Sequence, residues 1–351
     1  MKTLLSLFCL VTYLTCALSA NGWPVSLDMA CNKALSTVAC SFEFTNNGNE
    51  DLYLLKRNTP LEGLYSEFVS VSLNGRPLEY EGIYIHRLPP TKDEFVLLKA
   101  GESTSATVQI TDIFSIDTDG LYTVQYSRPL QYLSVSEMSA MSIDQLRELF
   151  AQEFVQIHLE DTSLLLKPKK EEIKVDYTVH LEACGSARFV GNNQNYATLH
   201  AHQHLCSSLL KAETKVGYGI PISAKWFGAY SYHRTAVAKN VYQKIRYGIT
   251  TKTVTYYNNG PQCRPNSYAY TYKGSTTVYL CPVYYRDQIL CSTTGESKEG
   301  TLVHEWSHAF GYTDDIVYGR PNSLNLARYH PDNAVRNAES YCYHYCDARF
   351  F

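Results

Sequence analysis

Methionine is scarce: there are four in 351 residues, and the last of them is Met141. Apolar runs are short as well. Beyond the first 20 residues no stretch of 18 apolar residues occurs, which excludes an internal membrane-spanning helix. Charge is modest in both signs, 31 Lys and Arg against 34 Asp and Glu for a net −3. That balance argues against a chain whose task is to coat nucleic acid or an anionic membrane. No Cys-x-x-Cys pair occurs, which disfavours a zinc ribbon or a dithiol redox site. There is no Gly-x-Ser-x-Gly elbow, no phosphate-binding loop and no Asn-x-Ser/Thr acceptor. What is present is a 45 % hydrophobic chain with 29 Tyr against 13 Phe, long enough for about two domains at roughly 150 residues each.

Met1-Lys2-Thr3, an apolar run from Leu4 to Leu18 and the small pair Ser19-Ala20 form a signal peptide over residues 1–20, so the expected destination is secreted and extracellular. Cys9 and Cys16 leave with it, and nine cysteines remain. In an oxidising compartment most of them pair, and an odd count leaves at least one over. Proximity favours Cys31–Cys40 and Cys263–Cys281, whereas Cys342 and Cys346, one helical turn apart, are badly placed to bridge.

The chain divides into two unlike halves. Residues 21–166 read as an antiparallel β-sandwich: alternating segments at 41–44, 69–73, 106–111, 121–126 and 154–159, with Asn74-Gly75 and Asp119-Gly120 as turns. Ser142-Ile143-Asp144-Gln145 reads as a capping box opening a short helix with Ile143, Leu146, Leu149 and Phe150 on one face. Residues 167–176 are a charged, proline-broken linker whose lysines also offer a protease site. Residues 177–351 change period, with helices expected at 192–211, 236–247, 300–309 and 332–345 and strands at 253–257, 268–272 and 276–280. The fold class is therefore α+β, helices with a small sheet preceded by the sandwich.

The chemistry sits at His304-Glu305-Trp306-Ser307-His308. On a helix this spacing puts two imidazoles on one face, near enough to share a Zn²⁺, with Glu305 beside them to act on a water. A buried histidine pair in an amphipathic helix would leave the same spelling, so a third ligand is the test. Three registers compete. A metzincin-type pattern would use Gly311 and Asp314 but needs a later methionine, and none follows. A thermolysin-like pattern needs a following glutamate, and only Glu339 comes after Glu305, 31 residues past His308. The third register reads Thr313-Asp314-Asp315-Ile316-Val317-Tyr318-Gly319 as T-x-D-x-x-Y-G.

That third register resembles the aspzincins, the deuterolysin and peptidyl-lysine metalloendopeptidase family of secreted zinc proteases. Cys263 to Thr271 with Leu280-Cys281-Pro282 is similar to the family's cysteine-linked strand pair, and Asn337-Ala338-Glu339-Ser340-Tyr341 to its N-A-[D/E]-x-Y helix. The family's glycine before T-x-D is Tyr312 in this chain. The likeness covers about residues 177–346 and implies a zincin-like catalytic domain with Zn²⁺ on His304, His308 and Asp315. It also implies Glu305 as general base and Tyr318 as donor to the developing oxyanion. Glu339 matches one of the acids that lysine-specific members carry, which implies Lys or Arg on the leaving-group side; Cys342 stands where the second acid would be. The segment Arg57 to Gly63 is similar to the β-rich pro-region of some members, which makes the chain a zymogen in expectation. The expected partners are protein or peptide substrates. The alternative is a catalytically silent secreted binding or toxin-like protein on the same scaffold. His200 and His204 share a helix face and are read as helix surface rather than ligands, while His330 and His344 are read as lining the fold or the cleft.

Overall fold

The computed structural model describes residues 24–140, 146–168, 174–181, 184–293 and 295–350; the expected leader and the middle of the expected linker lie outside them. In the first half, strand alternation builds three antiparallel sheets. The first orders β1 (Val25–Ala34), β2 (Thr37–Asn46) and β8 (Ser103–Gln109). The second orders β11 (Arg147–Phe150), β10 (Pro129–Ser134), β3 (Leu52–Leu55) and β7 (Phe95–Leu98). The third orders β12 (Phe154–Leu159), β9 (Gly120–Tyr126), β4 (Val69–Leu73) and β5 (Arg76–Pro77). Their inner faces share one core around Phe42, Phe44, Leu54, Val71 and Val124. In β2 and β9 every second residue is buried, which pins register, because a slip of one would turn the apolar set to water.

The expected helix from Ser142 fails on its last turn: Leu149 and Phe150 sit in β11, paired with Leu130 and Pro129. Residues 142–145 themselves lie outside the described residues. The capping box lies eight residues earlier, where Ser134 and Glu137 cap each other and open α1 (Val135–Ser139). The 147–150 tetrad is too short to carry a helix against a neighbouring strand offering a ladder.

The second half is a six-stranded sheet covered by helices. Its order is β13 (Tyr177–Val179), β14 (Ala187–Val190), β15 (Val254–Asn258), β17 (Thr277–Leu280), β16 (Ser267–Thr271) and β6 (Tyr84–Arg87). The last of these belongs to the first half of the chain. The parallel step from β14 to β15 is bridged by α2 (Asn195–Thr214), α3 (Pro221–Phe227) and α4 (Tyr232–Thr251). α2 buries Thr198, Ala201, Leu205, Leu209 and Ala212, a stripe at helical spacing. α4 answers with Ala238, Val241, Tyr242, Ile245 and Ile249. Gly248 on that face has no room for a side chain, since a Cβ there would lie 2.4 Å from the Phe310 ring.

Two further helices, α5 (Lys298–Ala309) and α8 (Ala338–Ala348), form the centre, with α6 (Arg320–Tyr329) and α7 (Pro331–Ala334) between them in the chain. The single helix expected over 332–345 is therefore two, broken at Val335 to Asn337. Helices α3 and α6, each opened by a proline in its first turn, were not anticipated. The disulfides Cys31–Cys40 and Cys263–Cys281 are present as read, joined by Cys184–Cys206 and Cys291–Cys346, and the odd thiol is the buried Cys342.

Candidate metal centre and cleft

All twelve residues of α5 are buried. Ser297 caps the helix through the amide of Gly300 (3.0 Å), and Glu299 anchors it by accepting the Cys291 amide (2.9 Å) and Arg349 (2.6 Å), with His204 and Tyr345 also on its carboxylate. A buried charge needs that many partners. With α5 anchored in this way, His304 and His308, one turn apart, both turn towards β6, whose His86 and Tyr84 stack on them.

Their Nε2 atoms lie 3.1 Å apart, and Asp315 Oδ1 stands 3.1 Å from each. Three ligands about 2.0–2.1 Å from a tetrahedral zinc stand about 3.3 Å from one another, so this triangle suits that ion. The outer nitrogens are tied back: His304 Nδ1 lies 2.9 Å from Glu339 Oε2, and His308 Nδ1 lies 2.8 Å from the Thr313 carbonyl oxygen. Such partners orient the rings and raise their basicity towards a metal. Asp314 points elsewhere, into Lys273 (2.8 Å) and Arg336 (2.6 Å). Of the two adjacent aspartates, the structure brings Asp315 to the histidines.

Glu305 is fully buried, and neither of its carboxylate oxygens has a hydrogen-bond partner among the described residues. Burial pushes its carboxyl well above the ordinary range, with Asp315 and Glu339 adding to the rise and His304 opposing it. A buried carboxylate with no protein partner is the expected state of a group that works on a water and a metal.

The loop from Gly311 to Gly319 is short and held from behind. Tyr312 takes φ 62°, the left-handed region, at the position where the resemblance has glycine. Asn337 Oδ1 accepts the amides of Ile316 (3.0 Å) and Val317 (3.1 Å), which sets Asp315 before them and Tyr318 after. Tyr318 donates its hydroxyl to the Ile85 carbonyl, 2.9 Å away. Glu339 accepts the Gly319 amide on Oε1 (3.1 Å) while its Oε2 holds His304. It therefore touches a ring of the candidate metal triangle directly, a contact its sequence position did not suggest.

Sequence reasoning missed His86. It lies on β6, 2 % exposed, its ring stacked at 4.1 Å on His304 and 4.4 Å on Tyr268, with Nε2 3.3 Å from Glu339 Oε2. No spacing rule links residue 86 to residue 304, so no local signal could have found it. Tyr84 stacks on His308 at 4.8 Å in the same way. The other histidines scatter: His200 lies against Tyr196, His202 bonds Tyr256 (2.7 Å) and His344 bonds Tyr242 (2.7 Å). Burial lowers both His202 and His344 to about 4, so each is a neutral core group. His330 is exposed at the end of α6.

Residues 221–346 match the aspzincin family model, described as lysine-specific metallo-endopeptidase. An extracellular protease of Aeromonas hydrophila is 27 % identical over 314 residues, 87 % of each chain. A peptidyl-Lys metalloendopeptidase of Grifola frondosa is 25 % identical over 343 residues, 93 % of this chain and 91 % of that one. The solved structure of a zinc peptidase from Grifola frondosa aligns with 43 % of this chain and 90 % of its own, at 27 % identity and a TM-score of 0.37. Among the described residues no helix is long and apolar enough to cross a membrane.

Proposed function

We propose, from the premise that residues 221–346 carry the aspzincin metallo-endopeptidase pattern, that this chain is a secreted zinc endopeptidase made as a zymogen. The observation that carries the reading is the triangle of His304, His308 and Asp315 at 3.1 Å, with the unpartnered carboxylate of Glu305 beside it. His304, His308 and Asp315 would hold Zn²⁺, which when bound supplies a Lewis acid for the peptide carbonyl and lowers the pKa of water.

The protein's own groups do the rest. Glu305 takes the proton from the attacking water and passes it to the leaving amine. Tyr318 donates its O–H to the carbonyl oxygen as negative charge builds there. Glu339 holds His304 in its ligating tautomer through Nδ1, and the same oxygen lies 3.3 Å from the imidazole of His86, where another cation could be received. A carboxylate in that place favours Lys or Arg on the leaving-group side. The substrates are proteins or peptides. Secretion is supported by the leader-like first 20 residues, by four disulfides and by the name of the Aeromonas relative.

The test is digestion of a denatured protein by the zinc-loaded chain, cut at the linker, with and without chelator and beside Glu305→Gln. Fragments should vanish with chelator, and the variant should keep its zinc while losing about 10²–10⁴-fold in kcat. Undiminished activity of Glu305→Gln would sink the mechanism. Zinc binding with no cleavage at all would favour the silent binding protein.

A further inference from the structure

Residues 84–87 belong to the β-rich half, yet they pair with the sheet of the other half. Ile85 opposes Tyr270 and His86 opposes Ala269, antiparallel, and the ladder continues from the Leu88 amide to the Asn266 carbonyl (3.0 Å). Within the second half β16 is the edge of its sheet, and an extended peptide laid on a free edge is a common way for a protein to bind another chain. Each residue of β6 then meets a different part of the centre. Tyr84 covers His308, the Ile85 carbonyl takes the hydroxyl of Tyr318, and His86 fills the slot between Tyr268 and His304 with Nε2 towards Glu339.

From these contacts we infer that Tyr84–Arg87 is an internal plug, lying in the cleft as a substrate lies, with the Ile85–His86 bond where the cleaved bond of a substrate stands. The inference rests on the peptidase reading above. Its register follows from one contact: the carbonyl that Tyr318 polarises in a substrate is, in the intact chain, Ile85's. The next side chain, an imidazole, occupies the place beside Glu339 that a cationic residue would take.

The plug is latched from behind by the segment Arg57 to Gly63. Arg87, 3 % exposed, gives both terminal nitrogens to Glu62 (2.6 and 3.3 Å), and Glu62 also accepts the Asn58 amide (2.9 Å). Arg57 donates to the Leu88 carbonyl (2.7 Å) and is itself fixed by Glu94 (2.8 and 2.7 Å). On the other side Tyr84 donates to Glu67 (2.9 Å). Both flanks of the Ile85–His86 bond are thus tied to the same half. A cut there would leave the two new ends facing each other at high effective concentration, so the strand inhibits rather than being consumed.

The experiment uses the full chain, zinc-loaded, in three states: uncut, cut at the linker, and uncut Glu62→Gln. Turnover of a fluorogenic peptide with Lys after the scissile bond is read over a dilution series. The uncut wild type should be at least about tenfold slower than the cut chain, which should gain activity on dilution as its β-half leaves, while uncut Glu62→Gln should recover much of the difference. Because Glu62→Gln leaves Arg87 unpaired and could unfold the β-half, a second arm adds a synthetic peptide copying residues 80–91 to the cut chain. It should compete with substrate, and His86→Ala in the peptide should weaken it about tenfold. An uncut chain as fast as the cut one, or a peptide that does not compete, overturns the plug. If the cut chain binds the peptide but cleaves nothing, the plug stands and the peptidase reading falls. Silence in both binding and cleavage overturns both.

Discussion

At the scale of single residues, Glu339 and Tyr312 show how the chain sets its chemistry. Glu339 accepts from the Gly319 amide on one oxygen and holds His304 with the other, and although burial works against its charge, His86 and His304 keep its carboxyl below the usual range. Glu339→Gln would keep the shape and lose the charge. We expect zinc affinity to fall about 10–100-fold in a competition titration with a chelator, the usual cost of removing an orienting partner. Unchanged affinity would mean that the Glu339 contact is packing alone. Tyr312 holds a left-handed φ that costs an ordinary L residue roughly 1–2 kcal/mol. Its ring is half exposed and sits by Lys244. Tyr312→Val should lower stability by about 1–2 kcal/mol in denaturant melts, because a branched Cβ fits that region worst, whereas Tyr312→Gly should not.

At the scale of elements, the centre depends on parts far apart in sequence being held in phase. Asn337 is the pin between α8 and the loop that carries Asp315 and Tyr318. Asn337→Ala leaves two amides without their acceptor, at about 1–3 kcal/mol for each that stays buried. It should lower the melting temperature and weaken zinc binding together, and a loss of stability with zinc affinity intact would refute the pin. Cys291–Cys346 ties the approach to α5 to the end of α8 across a sequence separation of 55. Replacing both cysteines by serine should cost about 4 kcal/mol, measured by urea unfolding. The expected capping-box helix and the unbroken helix over 332–345 failed at this same scale. Local patterns permit helix in both places, but a strand partner claims Leu149 and Phe150 in one, and Asn337 leaves the helix to cap a loop in the other.

At the scale of the whole molecule, the sandwich core and the helical core are built from separate residues, with β6 crossing between them. The candidate ligands all lie in the second half, as do the buried Trp226 and Trp306. With the third tryptophan, Trp23 of the first half, replaced by phenylalanine, fluorescence should therefore report a transition that chelator shifts down. At zinc a hundredfold above its Kd the stabilisation is about 2.7 kcal/mol. Strand-weighted circular dichroism of the sandwich should move less. In the chain cut at the linker, a single transition displaced as one body would contradict that separation.

The amino-acid sequence by itself determined the α+β character, most strand and helix positions, two disulfides and the motif at 304–308, because each depends on spacing within a few residues. The Tyr318-Gly319 register likewise favoured Asp315 over Asp314, and the tertiary structure then placed Asp315 against both histidines. Only the tertiary structure could decide that Glu339 reaches His304, that Asn337 braces the loop, and that His86 from the other half lies against the centre. These are contacts between residues 20 to 253 positions apart, and nothing in local periodicity encodes which distant surfaces meet. They follow from the burial of the sandwich and helical cores and from the pairing of β6 on the outer side of β16, which only the assembled sheet presents.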